Sequence, residues 1–174
     1  MAQQIVALSD VVGYSSPMRT SDDRRMIRNA IWEITTMAFG SDHDTWYEGR
    51  GDGILTVLPS TVTPAWVYQE FATTITSRLQ GYNGAMRPSR RIALRVAIDY
   101  GVVELDAMGY NGDCMIRAGR MIDSQLFKNA VGATRATVGM VTPQELTVQF
   151  GLDDFSNFRT QVKGMPIYAS MRMV

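Results

Sequence analysis

A single cysteine, Cys114, excludes any disulfide within the chain and any cysteine-rich zinc site. A reducing compartment, the cytoplasm, is therefore the expected home. Histidine is equally scarce: His43 is the only one and sits in the polar stretch Ser41 to Thr45, where it reads as solvated and is assigned no chemistry. Charge of one sign is lacking too. Lys plus Arg and Asp plus Glu stand at 17 each, so no basic field points to nucleic acid or to a membrane surface, and any bound anion must be held by a local site. No run approaches the roughly 18 apolar residues that a membrane span requires. Met1 to Leu8 lack the basic start and long apolar stretch of a signal peptide. Repeats, linkers and low-complexity tracts are missing as well. What remains is a chain of 174 residues, 45% hydrophobic, which suits one domain, 1–174, with a self-supporting core. Its twelve methionines read as adaptable core filler.

The order of elements follows from local signals. Ile5 to Leu8 is a short apolar run bounded by Ser9-Asp10 and the turn-rich 13–17, so it reads as a buried strand with Asp10 at its C-terminal end. Thr20-Ser21-Asp22-Asp23 offers several N-caps for a helix in which Ile27, Ile31, Ile34 and Ala38 recur up to Gly40. Trp46 to Glu48 and Ile54 to Leu58 flank Gly51-Asp52-Gly53, a tight-hairpin signal with Asp52 at the tip. Thr63-Pro64 opens a second helix whose stripe is Val67, Phe71, Ile75 and Leu79. A strand alternating from Ile92 to Asp99 follows, and Tyr100-Gly101 is expected to turn it back into Val102 to Leu105.

This β-α-β-β-α-β order predicts an α/β protein, an α+β sandwich with a ferredoxin-like core carrying two helices on one sheet face. Helices are expected over 115–122 and 124–130. Thr142-Pro143-Gln144-Glu145 reads as a capping box, and Gln161-Val162 with Ile167 to Met171 as a closing strand pair split by Lys163-Gly164.

In such an order the end of the first strand and the tip of the second hairpin lie on neighbouring strands, so Asp10 and Asp52 should converge. Two carboxylates at one sheet edge form a site for magnesium or manganese, which take the rest of their shell from substrate phosphates and water. Phosphoryl chemistry is the implied reaction class. The turn after Asp10, with Gly13, Tyr14 and Ser15, lets backbone amides approach an anion closely. Elsewhere bland readings hold. Arg24, Arg25 and Arg28 read as a solvated helix face, Asp99 as the cap of the following turn in preference to a residue facing the substrate cleft, Cys114 as a packed small residue, and Trp32, Trp46 and Trp66 as core or dimer interface.

Five segments, in order, resemble the class III nucleotide cyclases. VALSDVVGYS (Val6 to Ser15) and EGRGDGIL (Glu48 to Leu55) are similar to the two metal motifs, and LRVAIDYGVV (Leu94 to Val103) to the strand after the second helix. GDCMIRAGRMID (Gly112 to Asp123) resembles the helix bearing transition-state residues, and QVKGMPIYA (Gln161 to Ala169) the closing strands. The resemblance implies a class III cyclase fold with C-terminal helical and strand additions, and two divalent ions, Mn2+ or Mg2+, on Asp10, Asp52 and the Val11 carbonyl. It further implies phosphate contacts from Gly13, Tyr14, Ser15 and Lys163, and a homodimer with composite active sites. Arg120 matches the arginine that neutralises charge on the transferred phosphorus.

Two departures narrow the reading. Ile116 stands where the family has an asparagine that orients the ribose, with Arg117 one candidate to replace it; and while Glu48 stands, as in guanylyl cyclases, where adenylyl cyclases carry a base-reading lysine, the companion position near Gly109-Tyr110 holds neither the adenylyl aspartate nor a clear guanylyl equivalent. A stand-alone domain with Tyr and Arg in the base pocket resembles the pyrimidine cyclases of Pycsar anti-phage systems. The implied activity is that of a phosphorus-oxygen lyase converting UTP to 3′,5′-cyclic UMP plus pyrophosphate, a second messenger in anti-phage defence. Tyr47, Glu48, Arg50 and Tyr110 are the candidate base readers, although strand parity puts Tyr47 on the face opposite Glu48 and Arg50. Cyclases making cCMP, cGMP or cAMP remain alternatives, as does an inactive cyclase-like regulatory domain. A diguanylate cyclase is disfavoured because Arg50-Gly51-Asp52-Gly53 stands where its signature would be.

Overall fold

The computed structural model describes residues 3–40 and 44–174, so His43 lies outside the described residues. Among the described residues nine strands form: β1 (Gln3–Val11), β2 (Trp46–Gly49), β3 (Gly53–Val57), β4 (Leu94–Val102), β5 (Glu104–Asp106), β6 (Gly109–Asn111), β7 (Val138–Pro143), β8 (Ser156–Val162) and β9 (Met165–Met173). Seven of them make one sheet in the order β2-β3-β1-β4-β7-β9-β8, while β5 and β6 pair as a separate small hairpin. All pairings are antiparallel except β4 with β7.

The first four sheet strands with the first two long helices are the expected ferredoxin-like core. Helix α1 (Ser21–Phe39) opens on a reciprocal capping box, in which Thr20 accepts from the Asp23 amide and Asp23 accepts from the Thr20 amide. Such a pair satisfies two of the amides that a helix start otherwise leaves unbonded. The second long helix opens on Thr63 as α2 (Pro64–Trp66), widens into a π turn (Val67–Phe71) and continues as α3 (Ala72–Ala85). Its stripe Val67, Phe71, Ile75 and Leu79 is buried together with Ile27 and Ile31 of α1 and with Leu94, Val96 and Ile98 of β4. Phe39 stacks on Phe71 at 3.9 Å between centroids.

The opposite sheet face carries α4 (Asp113–Asp123) and α5 (Gln125–Thr134), which pack Ala118, Met121, Phe127 and Val131 on Ala97 and Val141. The C-terminal additions are thus β7, β9 and β8, which widen the sheet, and a short α6 (Gln144–Phe150). Lys163 (φ 51°) and Gly164 (φ 80°) make the two-residue turn between β8 and β9, the left-handed pair that suits strand twist.

Three local expectations change. No turn forms at Tyr100-Gly101: β4 runs on to Val102 with Gly101 paired to Gln4. A Cβ at Gly101 would lie 3.0 Å from the Cys114 Cβ, so this glycine lets α4 approach the sheet. Thr142 does not cap α6 but stays in β7, where its hydroxyl meets that of Tyr68 at 2.6 Å. Of the two readings of the tryptophans, core or dimer interface, the core one fails for Trp32 and Trp46, which are exposed, while Trp66 is partly buried and packs against the core. Among the described residues no helix is long and apolar enough to cross a membrane.

Candidate active site

Alternation along β1 turns Ile5, Ala7 and Val11 toward α1 and α3, which sends Asp10 to the α4 side of the sheet. Its cross-strand neighbours are Gly53 on β3 and Arg95 on β4. The hairpin tip is fastened beside it, because the Val11 amide donates to the Asp52 carbonyl at 3.0 Å and the Arg50 amide to the Gly53 carbonyl at 2.8 Å. A Cβ at Gly53 would fall 1.9 Å from the Ser9 carbonyl oxygen, so only glycine admits this approach. The aspartates, distant in sequence, are thereby brought to one sheet edge.

Burial pushes the Asp10 carboxyl up from its ordinary range, Arg95 opposes this, and the nearby negative charge of Asp52 adds to it. Arg95 grips Asp10 in a fork, Nε to Oδ1 at 2.8 Å and Nη2 to Oδ2 at 2.7 Å. Sequence reading missed this residue, because its role depends on the β1–β4 register. Among the described residues no group of three His, Cys, Asp or Glu side chains could hold a metal ion. The donor set nonetheless fits magnesium or manganese, which need only one or two protein carboxylates beside substrate oxygens. An ionised carboxylate has about four lone-pair sites, and Arg95 occupies two on Asp10.

The loop after β1 is fastened from within. Val12 donates to the Ala93 carbonyl, Tyr14 to Val11 and Ser16 to Gly13, which leaves the Gly13 and Ser15 amides without an acceptor among the described residues. The Tyr14 side chain turns inward, its hydroxyl donating to the Arg24 carbonyl at 3.4 Å. Arg24 is not merely solvated: its guanidinium donates to the carbonyls of Tyr14 and Ser16 and ties the loop to α1. Arg25 and Arg28 are exposed.

A second group of residues gathers on the other side of α4's N-terminal half. A cavity of about 870 Å³ is lined by Arg117, Arg120, Tyr100, Asp113, Met165 and Ile167. Beside it, and sharing Ile116 with it, lies a hollow of about 450 Å³ lined by Arg50, Tyr110, Met115 and Leu55. Among the described residues the Arg120 side chain has no hydrogen-bond or ion-pair partner, and Ile116 is exposed. Lys163 stands exposed at the β8–β9 tip. Asp10, Val11 and Asp52 line neither cavity.

Of the four candidate base readers, three share this face. Glu48 pairs with Arg50 at 2.7 Å, Trp46 meets Tyr110 edge-on at 5.6 Å, and Gly109 lies beside the Glu48 carboxylate. Tyr47 is on the other side, its hydroxyl donating to the Gly40 carbonyl and its ring against Trp32. Asp99 is a buried ion-pair residue rather than a turn cap. It takes two bonds from Arg117, at 2.6 and 2.7 Å, and one from the Tyr100 amide at 2.7 Å. Cys114 is buried, and burial pushes its thiol up, away from reactivity.

No family model matches the chain, and no curated protein matches its sequence. Solved structures do resemble it. A bacterial light-regulated adenylyl cyclase superposes with a TM-score of 0.67 at 15% identity over 97% of the chain, which spans only 51% of that protein. The guanylyl cyclase Cya2 gives 0.68 at 14% identity, covering 97% of the chain and 90% of its own. The catalytic core of a rhodopsin-guanylyl cyclase with converted specificity, in complex with ATPαS, gives 0.67 at 18% identity, covering 98% and 94%. Guanylyl cyclase domains from Blastocladiella emersonii with the same fold occur in both dimeric and monomeric forms. The chain thus has the fold of the adenylyl and guanylyl cyclase catalytic domains.

Proposed function

We propose that this protein is a nucleotide cyclase that converts a nucleoside triphosphate, UTP foremost, to a 3′,5′-cyclic nucleotide and pyrophosphate. The observation that carries the reading is the meeting of Asp10 and Asp52 at one sheet edge, beside a loop with two amides that find no acceptor among the described residues. In the reaction the ribose 3′-oxygen attacks the α-phosphorus in line, the bond to the pyrophosphate oxygen breaks, and the hydroxyl proton passes to water. Manganese or magnesium, held by Asp10, Asp52 and the Val11 carbonyl, supplies Lewis-acid stabilisation of the triphosphate when bound. The Gly13 and Ser15 amides receive phosphate oxygens, and Lys163 adds a cation from its turn. Arg120, without a partner of its own among the described residues, neutralises charge on the transferred phosphorus.

Arg120 and the base readers line cavities that Asp10 and Asp52 do not reach, which supports a homodimer in which each site combines the metal half of one protomer with the arginine half of its partner. Uracil is favoured by the Glu48–Arg50 pair. Glutamate accepts from the N3 proton and arginine donates to a ring carbonyl, with Tyr110 alongside. Tyr47, turned toward α1, takes no part. The product serves as a cytoplasmic second messenger in anti-phage defence, as the resemblance to Pycsar cyclases implies.

Incubation with all four triphosphates and Mn2+, with products identified by mass, is expected to yield cyclic UMP, and none from Asp10→Ala or Asp52→Ala variants that still fold. A clear preference for ATP or GTP rejects the uridine reading, and near-full activity in either variant rejects the mechanism. The second reading, an inactive nucleotide-binding regulator, draws on the exposed apolar Ile116 in the cavity. Triphosphate binding without pyrophosphate release selects it.

A further inference from the structure

Behind the Asp52 hairpin, on the α1 face of the sheet, lies a hollow of about 360 Å³ that the proposed reaction does not use. Its floor is Ile31 and Ile54, both buried, and one wall is the exposed face of α1 at Arg28, Asn29 and Trp32. The other wall is the hairpin, where glycines stand in place of side chains. Gly49 is the informative one. It pairs with Ile54 in β2 and shares a strand face with Tyr47, so its missing side chain would point toward α1. A Cβ there would meet nothing within 4 Å, and the backbone is not left-handed, so neither packing nor conformation demands glycine. Glycine weakens a strand, and where packing does not require it, it marks a place that a ligand or another backbone approaches closely. Here the open side is the hollow, which any larger residue would fill.

The α1 wall supplies a flat aromatic surface and one uncompensated cation. Trp32 is 44% exposed and is held edge-on to Tyr47 at 6.1 Å, so its ring offers a fixed face on which a planar base stacks. Arg28, one helical turn earlier on the same side of α1, has no hydrogen-bond or ion-pair partner among the described residues. The preceding cations are committed, Arg24 to the carbonyls of the loop after β1 and Arg25 to Asp22. One free guanidinium matches one negative charge. A triphosphate would find no second free cation and would meet repulsion from Asp52 at the hairpin tip. The volume lies near the lower end of the roughly 300–1,000 Å³ of ligand pockets, which suits a single mononucleotide. A 3′,5′-cyclic nucleotide has that size and joins a planar base to a singly charged phosphodiester. Resting on the cyclase reading for the ligand's identity, we propose that this hollow is a second nucleotide site, separate from the catalytic one. It holds the cyclic product with its base on Trp32 and its phosphodiester on Arg28.

The test is calorimetric titration with the four 3′,5′-cyclic nucleotides, and with uridine as the uncharged control. The catalytic site is first saturated with Mn2+ and the non-cyclising α,β-methylene triphosphate. Wild type is expected to bind a cyclic nucleotide once per chain under these conditions, and cyclic UMP about tenfold more tightly than uridine. Trp32→Ala is expected to weaken binding by about tenfold to a hundredfold. Arg28→Gln is expected to reduce cyclic UMP to the affinity of uridine. Gly49→Val fills the hollow and is expected to abolish binding without lowering the unfolding midpoint, since a β-branched residue suits a strand; a glycine kept only for structure would give a lower midpoint instead. Displacement of the cyclic nucleotide by the triphosphate analogue, or undiminished binding in the folded Trp32→Ala and Arg28→Gln variants, overturns the inference. Product formation by a wild type that shows no such binding overturns the inference alone, whereas such binding with no product from any triphosphate overturns the cyclase reading alone.

Discussion

Individual side chains divide the chemistry by how firmly they are held. Arg95 is forked onto Asp10 and Arg117 onto Asp99, while Arg120, at the cavity wall, has no partner among the described residues. An arginine that must meet charge only as it develops should be uncommitted in the ground state, because only interactions stronger in the transition state raise turnover. Arg120→Ala is accordingly expected to lower kcat by about 10²- to 10³-fold, with little change in KM or unfolding midpoint, as steady-state kinetics on the favoured triphosphate would reveal. Gly53 matters for the opposite reason. Its missing side chain lets the Asp52 hairpin rest on the Ser9 carbonyl, so Gly53→Ala is expected to cost about 1–3 kcal/mol of stability by overpacking and to abolish activity, measured by urea unfolding and product assay.

Elements are held by polar devices at their ends and bends. Asp23 caps α1 and also accepts from Arg87 and Arg90, at 2.5 and 2.7 Å, which ties the helix start to the segment before β4. Those hydrogen bonds hold its carboxyl far below the usual range. A depressed carboxyl stabilises the fold above its unfolded pKa of about 3.9 and loses that contribution as pH falls toward its folded value. Wild type is expected to lose stability between about pH 4 and 2 more steeply than Asp23→Asn, a difference read from urea midpoints across that range. The second long helix has a comparable device. Its π turn frees backbone groups from the regular ladder, and Arg172 of β9 donates to the Tyr68 carbonyl at 2.9 Å while pairing with Asp154 and lying over Phe155.

At the scale of the whole molecule, Asp10 and Asp52 line neither of the cavities that hold Arg120 and Tyr110, and the proposed composite site, which needs a second copy, can be tested on that separation. Mixing Asp10→Ala with Arg120→Ala protein is expected to restore about a quarter of wild-type activity, since half of randomly formed dimers are mixed and each of these has one intact site. Absence of recovery would indicate that each chain works alone. The exposed apolar residues that line the cavities, Ile116 and Met165, accord with a surface covered by a partner.

Much of this was legible from local pattern alone. Helical periodicity, the Thr20 cap, the glycine-flanked Asp52 and the alternating strand from Ile92 each depend on neighbours a few residues away, and they were sufficient for the βαββαβ order and for the two aspartates at strand end and hairpin tip. Strand β7 left no comparable signal, because Val138–Pro143 is short, holds a glycine and ends in proline. Parity separated Tyr47 from Glu48, but only the packing of Trp32, on α1, against Tyr47 decided which of them faces the core. Asp99 read as a turn cap, because nothing near it in sequence announces that Arg117 and Glu145 arrive from α4 and α6. The sequence by itself determined the elements and the identities of the acidic pair. Tertiary structure alone decided which arginine each carboxylate holds, since strand register and helix docking join residues that no local pattern connects.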